Sequence, residues 1–289
     1  MPVGMCDAQA VVLRDKIYLG GGDGPDGPSS KLLIYDFSQD SWDMLETPTQ
    51  SSRLAVYHSQ LVLVGGVDPF HNVVSKRWWT LDEKHWTERF PSMPLERFGA
   101  SVVGVGNHLI VAGGDKGGVF GRLDVVDVYD GQEWRRVQSL PKTCCRMKSV
   151  VHEGFWYLAG GVGQDQKVFY TSLESLIAST HSAAVGGGPE LVWETLPDAP
   201  FQYSTPVIFG KQLTTIGGLY TSAILVYSHR IKRWVRVGDL PVAFSFVCSL
   251  VLPTTGELVM VGGKSRTEIS SRVFRTKIQG KFDKLCVQV

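Results

Sequence analysis

The sequence predicts an all-β protein built from six similar units of four short strands. Three observations predict it. A Gly-Gly pair recurs six times, at 20–21, 65–66, 113–114, 160–161, 217–218 and 262–263, with intervals of 45, 48, 47, 57 and 45 residues between first glycines. A period of this length marks a repeat architecture and has to be read before any shorter motif. A tryptophan follows each of the first five pairs, at 42, 86, 134, 193 and 234, and Phe282 takes that place in the sixth. Finally, no stretch carries a sustained, capped 3.6-residue apolar stripe, so helices should be scarce.

Each pair ends a β-rich apolar run: IYLGG, LVLVGG, LIVAGG, WYLAGG, LTTIGG and LVMVGG. The third unit shows the full set of strands as GASVVGV, HLIVAGG, LDVVDVYD and EWRRVQSL, rich in β-branched and aromatic residues and separated by turn residues. Prolines at 48, 94, 141, 200 and 241 close the units, and Pro2 occupies the same slot at the start. The fourth unit departs from the rest, because Trp193 follows its first glycine by 33 positions, against 21 or 22 in the first three. The excess, about 175–190, is small and polar with a Gly-Gly-Gly. It reads as a mobile connection with room for one or two helical turns in ESLIAST.

Gly22, Gly24 and Gly27 satisfy G-x-G-x-x-G, the spacing of a dinucleotide-binding turn. That turn needs a helix to begin at the glycines so that its N-terminus can hold the pyrophosphate. Here Gly, Pro and Ser residues follow and then KLLIYDF, another strand, so the spacing is incidental to the repeat.

The pattern of strand, Gly-Gly, strand, Trp and Pro-containing turn resembles the kelch repeat over essentially all 289 residues. The resemblance implies a six-bladed β-propeller of four-stranded kelch blades, approximately 1–47, 48–93, 94–140, 141–199, 200–240 and 241–289. It also implies that the glycines and tryptophans are structural: glycines where strands converge, tryptophans wedged between sheets. The phrasing is that of animal kelch modules, and the chain reads as a domain cut from a longer protein. With each unit contiguous, the ring should close by packing, without exchange of a terminal strand.

Composition excludes several functions. With 43% hydrophobic and 20% charged residues the chain can bury a core, and its formal net charge of +1 offers no general attraction to nucleic acid or membranes. No apolar run is long enough to span a bilayer, and the N-terminus has no signal-peptide pattern. Five cysteines at 6, 144, 145, 248 and 286 without paired spacing, and no N-x-[ST] acceptor, suit a reducing compartment, cytoplasmic or nuclear.

In kelch-like adaptors, which the chain resembles, the loop-bearing face takes a protein partner. The starts of the first strands there carry Arg53, Arg97 and Arg146 in units two to four, and Tyr203, Phe244 and Phe246 in units five and six. One arc of the mouth is therefore expected to be cationic and the opposite arc aromatic, a composition suited to an acidic or phosphorylated peptide. The loops after the Gly-Gly pairs add Phe70, His71 and Phe120 as apolar or aromatic tips, and the short fifth loop brings Tyr220. The expectation is a monomeric, non-enzymatic binding module with no cofactor and no metal. Seven histidines fall at different points of their repeats, which argues against a shared metal. Two alternatives stand beside it. A sugar mutarotase would draw an acid or base from Asp7, Glu96, Asp68 or Asp115, and a cytoskeletal, actin-binding scaffold would use the outer surface. A reactive thiol at Cys144 or Cys145, beside the Arg146 cation, is a further candidate.

Overall fold

The computed structural model describes residues 1–162, 168–182, 192–197, 202–276 and 287–288. They form six four-stranded antiparallel sheets arranged in a ring, a six-bladed β-propeller. The innermost strands are Gln9–Leu13, Arg53–Tyr57, Ser101–Val105, Cys145–His152, Thr205–Phe209 and Cys248–Val251. Each sheet steps outward in chain order; blade 3, for example, runs Ser101–Val105, His108–Ala112, Val126–Tyr129 and Trp134–Val137. The sixth blade closes on the first by packing and a few backbone hydrogen bonds, with Met5, Ala8, Ile17 and Leu19 sharing a core with Cys248, Leu250, Val259 and Val261. No strand is exchanged between those two blades.

The Gly-Gly pairs hold the blades together at their inner ends. Gly65 has φ +63°, and a Cβ there would overlap the carbonyl oxygen of Arg97 in the next blade. Its neighbour Gly66 donates its N–H to that same carbonyl at 2.9 Å. Only glycine permits both the left-handed turn and the approach. The contact is repeated where the ring closes, from Gly262 and Gly263 to the carbonyl of Met5. In blade 1 the equivalent residue is Gly21, which has φ +75° and abuts Ser52. The structural pair there is 21–22, one residue later than the spacing predicts.

The tryptophans act at the outer ends. Trp86 donates its indole N–H to the Glu46 carbonyl, Trp134 to Pro91 and Trp234 to Pro197, at 2.9 Å each. Every one of these bonds reaches back to the preceding blade, so the ring packs between two sheets while its polar atom is satisfied. Phe282, proposed for this role in the sixth blade, lies outside the described residues, as do Pro200, Cys286 and Gly186–Gly188.

The described part of the insertion, up to Ser182, is more regular than the one or two helical turns expected, and 183–190 lie outside the described residues. Leu173–Ser182 is a ten-residue α-helix, the one helix among the described residues. Ser172 accepts the N–H of Ser175 with its hydroxyl, an N-cap. Leu173 and Leu176 are buried with Val137, Leu140 and Trp156 between blades 3 and 4. Two leucines one turn apart thus pack this helix against the blades.

Candidate functional site

At the Gly-Gly face one residue per blade turns into the left-handed region: Asp7 at φ +55°, Ser51 at +51°, Gly99 at +61°, Arg146 at +59°, Tyr203 at +62° and Phe246 at +57°. The turn aims backbone N–H groups at the neighbouring blade. Asp7 donates to Phe246, Gly99 to Ser51, Arg146 to Gly99 and Phe246 to Tyr203, at 2.7–3.2 Å. These six residues form a collar around the axis. They stand 14 residues before the first structural glycine in five blades and 16 in the sixth. That regularity was available to sequence reading, but only with the pair in blade 1 taken as 21–22.

The collar separates the three arginines expected at the mouth. Arg146 belongs to it. Arg53 lies two residues further into its strand, and Arg97 two residues before the collar position. Two residues preserve the side of a strand but shift a side chain by about 7 Å along it. Both misplaced arginines are 1% exposed. The expected cationic arc therefore contains Arg146 alone.

Arg53 binds Asp7 through Nη2 to Oδ2 at 2.8 Å and donates to the Asp7, Gly21 and Ala100 carbonyls, so it ties blades 1, 2 and 3 together. Arg97 stays within blade 3, paired with fully buried Asp127 and donating to the Gly113 and Val125 carbonyls. Asp127 is shared with Arg136 at 3.0 Å. Sequence reading missed Lys148, which is buried and crosses from blade 4 to blade 1. It donates to the carbonyls of Asp7 and Ala8 at 2.6 Å and pairs with Asp7 Oδ1 at 3.2 Å.

Arg146 completes this axial cluster. Blades 4 and 1 face each other across a six-membered ring, and Arg146 Nη1 spans the gap to Asp23 Oδ2 at 2.9 Å and Asp7 Oδ2 at 3.4 Å. Burial alone would raise the Asp7 carboxyl, but Arg53, Lys148 and Arg146 outweigh it and hold the group below its ordinary value. Burial pushes the Lys148 ammonium down to about 8, helped by Arg53 and opposed by Asp7. Below the cluster lies a cavity of about 260 Å³, lined by Gln9, Lys148, Thr205, Cys248 and Ser249 among others.

The aromatic arc is partly as expected. Tyr203 and Phe246 stack on the collar with ring centroids 4.1 Å apart and planes 29° from parallel. Tyr220, 52% exposed, lies under the Arg266 guanidinium at 5.5 Å. Phe244, however, is 1% exposed and packs against Phe274 in the core between blades 5 and 6. It sits two residues before the collar, the position that Arg97 fills in blade 3. Phe70, His71 and Phe120 are exposed tips of the loops of blades 2 and 3. Cys144 and Cys145 are buried, and burial pushes their thiols up to about 12 and about 11, so both stay protonated and unreactive near neutrality.

The Kelch motif matches residues 96–141, which span most of blade 3. The chain is similar to kelch-repeat proteins. Beta-scruin of Limulus polyphemus is 26% identical to it over 147 residues, covering 46% of this chain and 16% of that relative's length. The solved structure titled "Structure of YjhT" superposes on it with a TM-score of 0.79 at 14% identity, covering 100% of this chain and 98% of the other. At that identity the likeness is one of fold. Among the described residues no cluster of His, Cys, Asp and Glu is arranged to hold a metal, and no helix is long and apolar enough to cross a membrane.

Proposed function

We propose that the chain is a non-enzymatic protein-interaction module that takes an acidic or phosphorylated peptide at the collar, in the manner of a kelch-type substrate-recognition adaptor. The observation that carries this reading is Arg146. One nitrogen, Nη1, faces Asp7 and Asp23, while Nε and Nη2 have no partner among the described residues, and the side chain is 26% exposed. A guanidinium with an open edge accepts a carboxylate or phosphate in two parallel bonds. The Tyr203–Phe246 stack occupies the next two collar positions and offers an apolar platform for the residue flanking that acid.

The axial carboxylate supports binding over acid–base chemistry. Asp7 is committed to three cations and held ionised below its ordinary value, so it has no proton to give near neutrality and is a weak base for taking one. The four described cysteines, all free and buried, support an intracellular setting.

A peptide array probed with the purified chain tests the reading. Peptides carrying an acid beside an apolar residue should bind, and Arg146→Ala should weaken them at least tenfold with an unchanged thermal melt. Equal binding of acidic and basic peptides, or equal binding by the variant, would refute it.

A further inference from the structure

The loops of blades 2 and 3 hold large apolar side chains out in solvent on ordered backbone. Phe70 is 91% exposed, Val73 60%, Val119 88% and Phe120 93%. Neither loop is slack. In the first, Asp68 Oδ1 accepts the N–H groups of Phe70 and His71 at 2.9 Å, and the Asp68 N–H bonds to the Val73 carbonyl across the loop. In the second, Asp115 Oδ1 accepts the Gly117 N–H at 2.7 Å, and Lys116 bonds across to Gly121. The pairings of Val67 with Val74 and of Asp115 with Arg122 close each loop at its base. A Cβ on Gly117 would meet Val74 Cγ2 at 3.6 Å, so the two fingers stand side by side.

We propose that these paired fingers are a second docking surface, separate from the collar, and that their occupant is an apolar groove on a folded protein partner. Four observations select that occupant. The tips protrude, so whatever buries them must be concave. Their backbone is already fixed, so little ordering entropy is lost on docking. Together they expose a few hundred Å² of apolar surface, the size that marks an interaction site on a monomer. That is short of the ~800 Å² per partner of a standard stable interface, which makes the contact a reversible anchor. Charge argues against a lipid surface. Residues 67–76 carry one acid and one lysine, and 115–122 carry Asp115 against Lys116 and Arg122, far from the ~4–8 clustered cations of a lipid-binding segment.

The test uses the intact chain with the photocrosslinker p-benzoylphenylalanine placed at Phe70 or at Phe120, irradiated in cell lysate. The expected result is one shared protein adduct from both positions, with the cross-links mapping inside an apolar groove of that protein. An excess of unlabelled wild-type chain should suppress the adduct. The Phe70→Ser/Phe120→Ser variant should suppress it at least tenfold less well while keeping the wild-type melt. The adduct should persist in an Arg146→Ala background, which separates this surface from the collar reading. Unrelated adducts from the two positions, no adduct, an adduct between two copies of the chain, or tight wild-type binding to phosphatidylcholine–phosphatidylserine vesicles would each overturn the proposal.

Discussion

Arg53 in blade 2 and Arg97 in blade 3 are equally buried, at 1% exposure, yet their partners lie in different places. Arg97 meets Asp127 inside its own blade, with Arg136 from the next strand sharing that carboxylate. Arg53 meets Asp7 one blade away, and Asp7 is also shared with Lys148 and Arg146 from the far side of the ring. A buried ion pair is costly to assemble, because desolvation offsets much of the Coulomb gain, and costly to break from one side. In blade 3 that cost fixes one sheet. At the axis the same chemistry fixes the relative placement of blades that have no covalent reason to stay in register.

The comparison breaks most sharply at Asp7. Asp7→Ala removes the one carboxylate that faces three cations and leaves Arg53 and Lys148 buried without a counter-charge. The expected loss is about 3–5 kcal/mol of unfolding free energy, read by denaturant titration. The pH dependence has a fixed sign. The Asp7 carboxyl sits below its ordinary value of 3.8 in the folded chain, so the unfolded chain binds the proton first as pH falls. Its contribution is full above pH 3.8 and drains away as pH falls through the folded value. The gap between wild type and Asp7→Ala should therefore narrow below pH 4, and a constant gap would show that Asp7 contributes through packing and not charge.

Arg97→Ala should cost less, about 2–3 kcal/mol, because Asp127 keeps Arg136 as a partially solvated counter-ion. Replacing the pair with apolar residues of similar volume, Arg97→Met with Asp127→Leu, should recover most of that loss in the same titration. A comparable rescue should fail at the axis, where one carboxylate answers to three cations and no single paired replacement neutralises the site.

The same contrast explains what could be read in advance. The blades were legible because Gly-Gly and Trp each perform a backbone-level task once per blade, and such tasks leave a periodic trace. The cationic arc was not, because Arg53, Arg146 and Arg97 stand 12, 14 and 16 residues before their glycines. Even differences keep the side of a strand, so all three looked alike while differing in depth by about 7 Å per step. Depth decides exposure, and the three consecutive glycines at 20–22 hid the register that would have revealed it. The partners were hidden for another reason. Asp7 lies 46 residues from Arg53 and 141 from Lys148, and no local pattern encodes contacts across a ring. The helix at Leu173–Ser182 was underrated because its buried residues, Leu173, Leu176 and Thr180, sit in a small, polar stretch, where a few buried side chains suffice to anchor the segment.

Arg146 is the smallest test of stability and the sharpest test of the division of labour. It lies on the collar, 26% exposed, and each of its acids has an alternative: Asp7 keeps Arg53 and Lys148, and Asp23 is 23% exposed and can turn to water. Arg146→Ala should therefore cost no more than about 1 kcal/mol, the range of a solvent-screened pair. Calorimetry of this variant beside Arg53→Ala reads the contrast directly, since Arg53 donates to three carbonyls, of which, among the described residues, only that of Asp7 also receives another side chain, Lys148. If Arg146→Ala melts as low as Arg53→Ala, the guanidinium across the mouth is a structural bolt like the other two, and its open edge is incidental. If it melts with the wild type, the collar has kept one cation out of the work of holding blades together. A cation held in place but not needed for stability can exchange an internal carboxylate for one brought by a partner.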